Sequence, residues 1–252
     1  MSTILAHRGA SGEAPENTME AFLLAEKEKA DGIELDVHLS RDGEIVVIHD
    51  DSIDRTSGAK GMVREMTLAE LRKHTYNLTH PEYAKAAIPT LREVFEWAKP
   101  AGMEVNIELK TAPYDYPGIE RMCIELAAKM GMDKQVCYSS FNHRSLLRVK
   151  EIDPSQPCGL LYSGVFVRPF EYAKSLGMDA LHPQYAQLLE PDVVADSHAA
   201  GVLVNPWTVD EEEQLRLVRL AGADKIITNY PARARAIMES MYRGTNRNIV
   251  SE

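Results

Sequence analysis

Residues 4–22 read ILAHRGASGEAPENTMEAF. Ile4, Leu5 and Ala6 make a short apolar run that stops at His7-Arg8, and an amphipathic stretch begins at Asn17, where Asn17 and Glu20 have the spacing of a capping box. A strand followed by a helix is the unit, and it recurs along the chain. Apolar runs that predict strands fall at 3–6, 32–38, 44–48, 103–109, 135–139, 157–161, 179–182, 202–205 and 224–228. Helical patterns lie between them near 17–30, 90–99, 116–131, 143–152, 168–176, 190–200, 210–221 and 231–242. With 44–48 taken as an extra strand on the second unit, eight strand-then-helix units remain. That count predicts an α/β fold of the TIM-type (β/α)8 barrel. An open doubly wound sheet is disfavoured, because no Gly-x-Gly-x-x-Gly turn is present.

Punctuation along the chain agrees with these boundaries. Pro231 suits the first turn of the last helix, and Gly177 and Gly201 stand where helices should stop. Residues 51–89 break the rhythm: they are polar, carry Gly58, Gly61 and Pro81, and hold one short helix pattern near 67–74. They read as a small insertion after the second strand. A frayed tail is expected from about Gly244. The whole of 1–252 reads as a single barrel domain.

Composition narrows the partners. A chain of 252 residues with 44% hydrophobic content suits one large soluble core. No run of eighteen apolar residues and no signal-peptide pattern is present, which predicts a cytoplasmic protein. Cys123, Cys137 and Cys158 are odd in number, lack metal-ligand spacing and have apolar neighbours, as buried thiols in a reducing compartment do. The formal charge of −10, with no Lys/Arg cluster, argues against nucleic acid or an anionic membrane as partner. A small anionic substrate therefore needs a metal ion or a few placed cations. No apolar stripe decides between a monomer and a homodimer.

In such a barrel, reactive side chains gather at the C-terminal ends of the strands. The first strand ends in His7-Arg8, the second carries Glu34-x-Asp36, the extra strand ends in His49-Asp50, and the third carries Glu108-x-Lys110. Strand residues two apart share a face, so three carboxylates from two strands converge. A lone Glu-x-Asp is ordinarily solvated or paired with Lys and Arg. Here Ile33, Leu35 and Val37 mark a buried strand, where unpaired anions are costly. Glu34, Asp36 and Glu108 are thus the candidate ligands of one divalent cation, and all-oxygen donors suit Mg²⁺ or Ca²⁺ better than zinc.

His7 and His49 end two different strands near that ion and are the candidate proton carriers, set against a structural role for each in a capped turn. Arg8 and Lys110 offer positive charge to phosphoryl oxygens or, in the plainer reading, pair with the carboxylates. His38 shares a face with Glu34 and Asp36, but the polar Ser40–Gly43 turn after it predicts a rim position facing solvent. His182, ending a strand before Pro183, is a weak pocket candidate, while His74, His80, His143 and His198 carry no signal.

These segments, in their order, resemble the glycerophosphodiester phosphodiesterase family: HRG with PENT, GIELDV, DGEIVVIHDDSIDRTS, PTLREVFEW, NIELK, and NPWTV followed by GADKIITNYP, over about residues 4 to 235. The resemblance implies an eightfold barrel that cleaves glycerophosphodiesters to sn-glycerol 3-phosphate and an alcohol with a divalent metal. It implies Glu34, Asp36 and Glu108 as metal ligands, His7 and His49 as the acid–base pair, and Arg8 and Lys110 as phosphate contacts. Trp207 matches an aromatic residue near the glycerol moiety. One histidine would deprotonate the nucleophile, water or the glycerol 2-hydroxyl, and the other would protonate the departing alkoxide.

Two departures from the family are visible. Asn229 stands where an aspartate is common; the change is expected to alter hydrogen bonding at the last strand and to touch no proposed catalytic role. The insertion near 75–88 is short and polar, which predicts loose selection of the alcohol. Three other functions compete for the same residues: an aldolase using Lys110 as a Schiff-base lysine, a metal- or phosphate-binding module without turnover, and a lysophospholipase D acting on acylated substrates. The first leaves two histidines and three acids unused. The last calls for an apolar groove, for which the insertion offers only scattered Tyr and Ile.

Overall fold

A computed structural model of the chain describes residues 2–190 and 192–249, with side chains through Tyr242. β1 (Thr3–His7) and α1 (Met19–Lys27) form the first unit. β2 (Gly32–Leu39) follows and turns back into β3 (Ile45–Val47), after which the insertion carries α2 (Asp54–Ser57) and α3 (Leu68–Leu71) before α4 (Leu91–Ala101). Then come β4 (Glu104–Leu109), α5 (Ile119–Met130), β5 (Val136–Ser140), α6 (His143–Ile152), β6 (Cys158–Tyr162) and α7 (Pro169–Ser175). β7 (Ala180–Pro183), α8 (Val193–Ala199), β8 (Leu203–Val204), α9 (Glu212–Ala221), β9 (Lys225–Thr228) and α10 (Pro231–Ile249) complete the order.

The strands follow the order β8-β7-β6-β5-β4-β2-β1-β9, all parallel, while β3 pairs antiparallel with β2. Between β8 and β9 the circle is drawn together by single backbone bonds, Asp224 N to Val204 O at 3.0 Å and Ile227 N to Pro206 O at 3.0 Å. This is the predicted (β/α)8 barrel. The eighth strand is the shortest because Pro206 has no N–H to extend its ladder.

β2 shows why the active end is polar. Ile33, Leu35 and Val37 point outward into the main core, which they share with Phe22, Phe95 and Leu91 of the surrounding helices. Glu34, Asp36 and His38 alternate with them and point inward. The helices are stapled by their ends: Thr90 and Glu93 make a reciprocal capping box on α4, and Gly102 closes it in the left-handed conformation at φ 68°.

Several boundaries differ from the sequence reading, each for a local reason. Asn17 does not cap α1: it sits at φ 56°, and Thr18 caps the helix by accepting from Ala21 N–H. The insertion holds α2 and a 3₁₀ turn at Val63–Glu65 besides the expected helix, both too short for a 3.6-residue period to register. It has its own small core of Ile53, Val63, Leu71, Tyr76 and Ile88, which seats it on Val46 and Ile48. α10 runs on through the expected tail to Ile249, while residues 250–252 lie outside the described ones. Cys123 and Cys158 are buried as expected, whereas Cys137 is half-buried. No helix among the described residues is long and apolar enough to cross a membrane.

Candidate active site

Strand register brings the predicted side chains to one level. His7 is the register partner of Glu34 across β1 and β2, and Asp36 is that of Glu108 across β2 and β4. One oxygen each from Glu34, Asp36 and Glu108 lies within 4.8 Å of the other two, and all three residues are buried. With His7, Arg8, His49 and Asn106, Glu34 and Glu108 form the polar wall of a cavity of about 200 Å³. Phe141, Leu161, Trp207 and Ile227 form its apolar wall.

The cations lie against the acids. Lys110 Nζ donates to Glu108 Oε1 at 2.7 Å and stands 3.6 Å from Asp36 Oδ1; Arg8 Nε is 3.5 Å from Asp36 Oδ2. Arg8 also donates its backbone N–H to Glu34 Oε2 at 3.1 Å. Asn17, whose spacing to Glu20 suggests a cap, is instead a site residue: its Nδ2 donates to Asp36 Oδ2 at 2.8 Å. Burial opposes ionisation of Asp36, but Lys110 and Arg8 outweigh it and hold the carboxyl well below the usual range. Burial, then the negative charge of Asp36, pushes Glu108 up; burial with both neighbouring carboxylates pushes Glu34 well above the usual range. Two cations therefore do not suffice for three buried anions. Asp36 Oδ1 has no hydrogen-bond partner among the described residues. An all-oxygen cluster with surplus negative charge and an unsatisfied buried oxygen fits a hard divalent cation.

Each histidine has a different support. His49 Nδ1 meets Asp50 Oδ1 at 2.6 Å, and Arg55 of the insertion donates to Asp50 Oδ2 at 2.8 Å. The same guanidinium donates to both oxygens of Glu16, at 2.7 and 2.8 Å, and Glu16 accepts from Arg8 Nη1 at 3.0 Å. Asp50 is held well below the carboxylate range by its bond to His49 and, against burial, by Arg55. His7 Nδ1 instead meets the amide oxygen of Asn229 at 2.7 Å, while its Nε2 stands 3.9 Å from Glu34 Oε2. Asn229 thus touches a proposed catalytic residue, contrary to the expectation drawn from its place in the last strand. Burial and Arg8 lower the His7 pKa to about 4.

Two other expectations are corrected. His38 does not face solvent: it is buried, with Nε2 3.1 Å from the His49 carbonyl and Nδ1 2.9 Å from the Tyr116 hydroxyl, so it holds the backbone of His49. His182 does not line the cavity. It is buried, bonded through Nε2 to Asn205 Nδ2 at 2.9 Å, and its carbonyl accepts from Trp207 Nε1 at 2.8 Å. That bond and an edge-to-face contact with Phe141, centroids 5.4 Å apart, fix the indole.

Burial, with Lys225 nearby, lowers the His182 pKa from 6.5 to about 3. Between those values the unfolded chain binds a proton that the folded chain refuses, so stability falls as pH falls through that window. From pH 7 to pH 5 this residue should cost about 2 kcal/mol of unfolding free energy, at about 1.4 kcal/mol per pH unit once below the unfolded value. Urea denaturation of the wild type and His182→Gln at both pH values measures it. Equal losses in the two proteins would contradict it.

The chain matches the family described as glycerophosphoryl diester phosphodiesterase over residues 7–233. It is 42% identical over 229 residues to a glycerophosphodiester phosphodiesterase of Caldanaerobacter subterraneus subsp. tengcongensis, covering 90% of this chain and 94% of that one. Against a glycerophosphodiester phosphodiesterase of Bacillus altitudinis the identity is 37% over 247 residues, covering 96% and 100%. A phosphodiesterase of Oleispira antarctica, solved in complex with the product sn-glycerol-3-phosphate, superposes with a TM-score of 0.84 at 30% identity, over 95% of this chain and 97% of that one.

Proposed function

The chain belongs to the glycerophosphoryl diester phosphodiesterase family, and from that premise we propose how its own residues cleave a glycerophosphodiester to sn-glycerol 3-phosphate and an alcohol. The reading rests on one observation: three buried carboxylates lie within 4.8 Å of one another, and two of them, Glu34 and Glu108, border one cavity together with His7 and His49. Glu34, Asp36 and Glu108 hold one divalent ion, Mg²⁺ or Ca²⁺, which supplies positive charge where negative charge grows on the phosphoryl oxygens. Arg8 and Lys110, already oriented by Asp36 and Glu108, bind phosphoryl oxygens. The glycerol carbons lie against Trp207 and Phe141. The neighbour bound to sn-glycerol-3-phosphate supports a ligand of this class here.

The two histidines divide the proton transfers. His7, backed by a neutral amide, stays unprotonated near neutral pH and takes the proton from the nucleophile. His49, whose Nδ1 is held by the Asp50 carboxylate at 2.6 Å, delivers the proton to the departing alkoxide. Lys110 does not suit Schiff-base chemistry, because Asp36 and Glu108 outweigh burial and raise its pKa, holding the amine protonated. Residues 1–252 act as a single catalytic unit with the insertion at about 51–89 as a support for His49, and three free thiols fit a cytoplasmic setting.

Incubation with glycerophosphocholine is expected to release glycerol 3-phosphate and choline. Phosphorus NMR of the time course detects a cyclic phosphate where the glycerol 2-hydroxyl is the nucleophile and none where water is. Release of phosphocholine, or binding without turnover, would contradict the proposal. A second reading, lysophospholipase D activity on acylated substrates, is favoured by the β6–α7 loop at the same barrel end. There Val165, Phe166 and Val167 are 54%, 53% and 93% exposed, an apolar tip able to meet an acyl chain. Faster turnover of lysophosphatidylcholine than of glycerophosphocholine would establish it.

A further inference from the structure

The support behind His7 carries more than a hydrogen bond. Asp210, in the loop between β8 and α9, accepts the backbone N–H of Asn229 at Oδ1, 2.8 Å, and the Asn229 side-chain Nδ2 at Oδ2, 2.7 Å. The Thr228 hydroxyl donates a second bond to Oδ1 at 3.1 Å, and Arg233 of α10 donates to the Asp210 carbonyl at 2.9 Å, which holds the loop in place. An ionised carboxylate only accepts. Asn229 must therefore turn its NH₂ toward Asp210 and its oxygen the other way, because the flipped amide would set oxygen against oxygen at 2.7 Å. On that far side the amide oxygen meets His7 Nδ1 at 2.7 Å and the Ser11 hydroxyl at 2.8 Å. Ser11 Oγ is also 2.7 Å from the His7 carbonyl and closes the ring around the imidazole. An amide oxygen only accepts as well, so the proton of the neutral imidazole sits on Nδ1 and the lone pair on Nε2, the nitrogen on the Glu34 side.

We infer that Asp210 and Asn229 are positioning residues: through two successive hydrogen bonds the Asp210 carboxylate sets the orientation of one amide, and that amide sets the tautomer of His7. The inference rests on the reading of His7 as proton acceptor, since only the Nδ1–H tautomer presents a free Nε2 to the cavity. Neither residue borders the cavity or touches a proposed metal ligand. Asp210→Asn replaces the carboxylate by a group that both donates and accepts, which frees the Asn229 amide to flip.

Long-range ¹H–¹⁵N NMR of the full chain reads the tautomer directly, with the His7 signals assigned by their loss in His7→Gln. The wild type is expected to show one neutral form, protonated at Nδ1. Asp210→Asn is expected to show a mixture of both tautomers and a kcat for glycerophosphocholine lowered ~10–100-fold, with KM within about 2-fold. The exchanged pair Asp210→Asn with Asn229→Asp keeps a donor facing an acceptor and an acceptor facing Nδ1, so a single tautomer should return. It also guards against loss of folding in the single variant. An unchanged single tautomer in Asp210→Asn, or Nε2–H in the wild type, overturns the inference. A mixed tautomer with unchanged kcat supports the positioning by Asp210 and overturns only the role of His7 in proton transfer.

Discussion

The His49→Asn variant is expected to lose roughly 10²–10⁴-fold in kcat for glycerophosphocholine while KM stays near the wild-type value, the range typical of removing a general acid or base. The loss should be in turnover because the proposed phosphate contacts, Arg8 and Lys110, are held by Asp36, Glu108 and Glu16 rather than by the imidazole. Stability should change little, since the His49 side chain is 30% exposed and the variant removes no core volume. His7→Asn should be comparably inactive, and the double variant should be no more than slightly worse, because residues acting in one sequence of proton transfers are not additive. Steady-state kinetics of the three variants at several pH values tests this. A His49→Asn enzyme within about 3-fold of wild type would remove His49 from the chemistry.

Asp36→Asn should be the most damaging single change among the carboxylates. Asp36 is fully buried and is the shared partner of Arg8, Lys110 and Asn17. Its neutral replacement removes one anion from the proposed ion and leaves two cations with fewer partners. Supporting partners of metal ligands cost ~10–100-fold in metal affinity when removed, and a ligand itself should cost at least the upper figure. Breaking a buried ion pair from one side adds a stability loss of about 3–5 kcal/mol. Glu108→Gln is the informative companion, because it leaves the pairs of Asp36 with Arg8 and Lys110 in place. It should weaken metal binding with a smaller stability loss. Calorimetric titration with Mg²⁺ and Ca²⁺ alongside urea denaturation separates the two effects, and wild-type metal affinity in Asp36→Asn would contradict the ligand assignment.

What the sequence made legible and what it did not follow a physical line. Glu34, Asp36 and Glu108 were readable because a strand has a period of two and a barrel has one polar end, so local pattern and fold class together place them. The eight units were readable for the same reason. Asn17, Asn229 and Arg55 were not, because what each does depends on a partner brought close only by the fold: Asp36 across 19 positions, His7 across 222, and Glu16 across 39. Asn17 was misread as a cap because its neighbour Thr18 offers the same local chemistry. His38 was placed at the rim by the polar turn after it, yet that turn belongs to the β2–β3 hairpin, and β3 and Tyr116 cover the imidazole. Short-range pattern locates the acids; long-range closure decides which side chains orient the bases.

That Glu34, Asp36 and Glu108 bind one ion required for turnover is tested most directly by stripping the protein of metal, titrating Mg²⁺ or Ca²⁺ back, and following bound metal and glycerol 3-phosphate release in the same samples. The expected result is no release from the stripped protein and a rate that rises in step with occupancy to one ion per chain. Full-rate release from protein shown to be free of metal would contradict it.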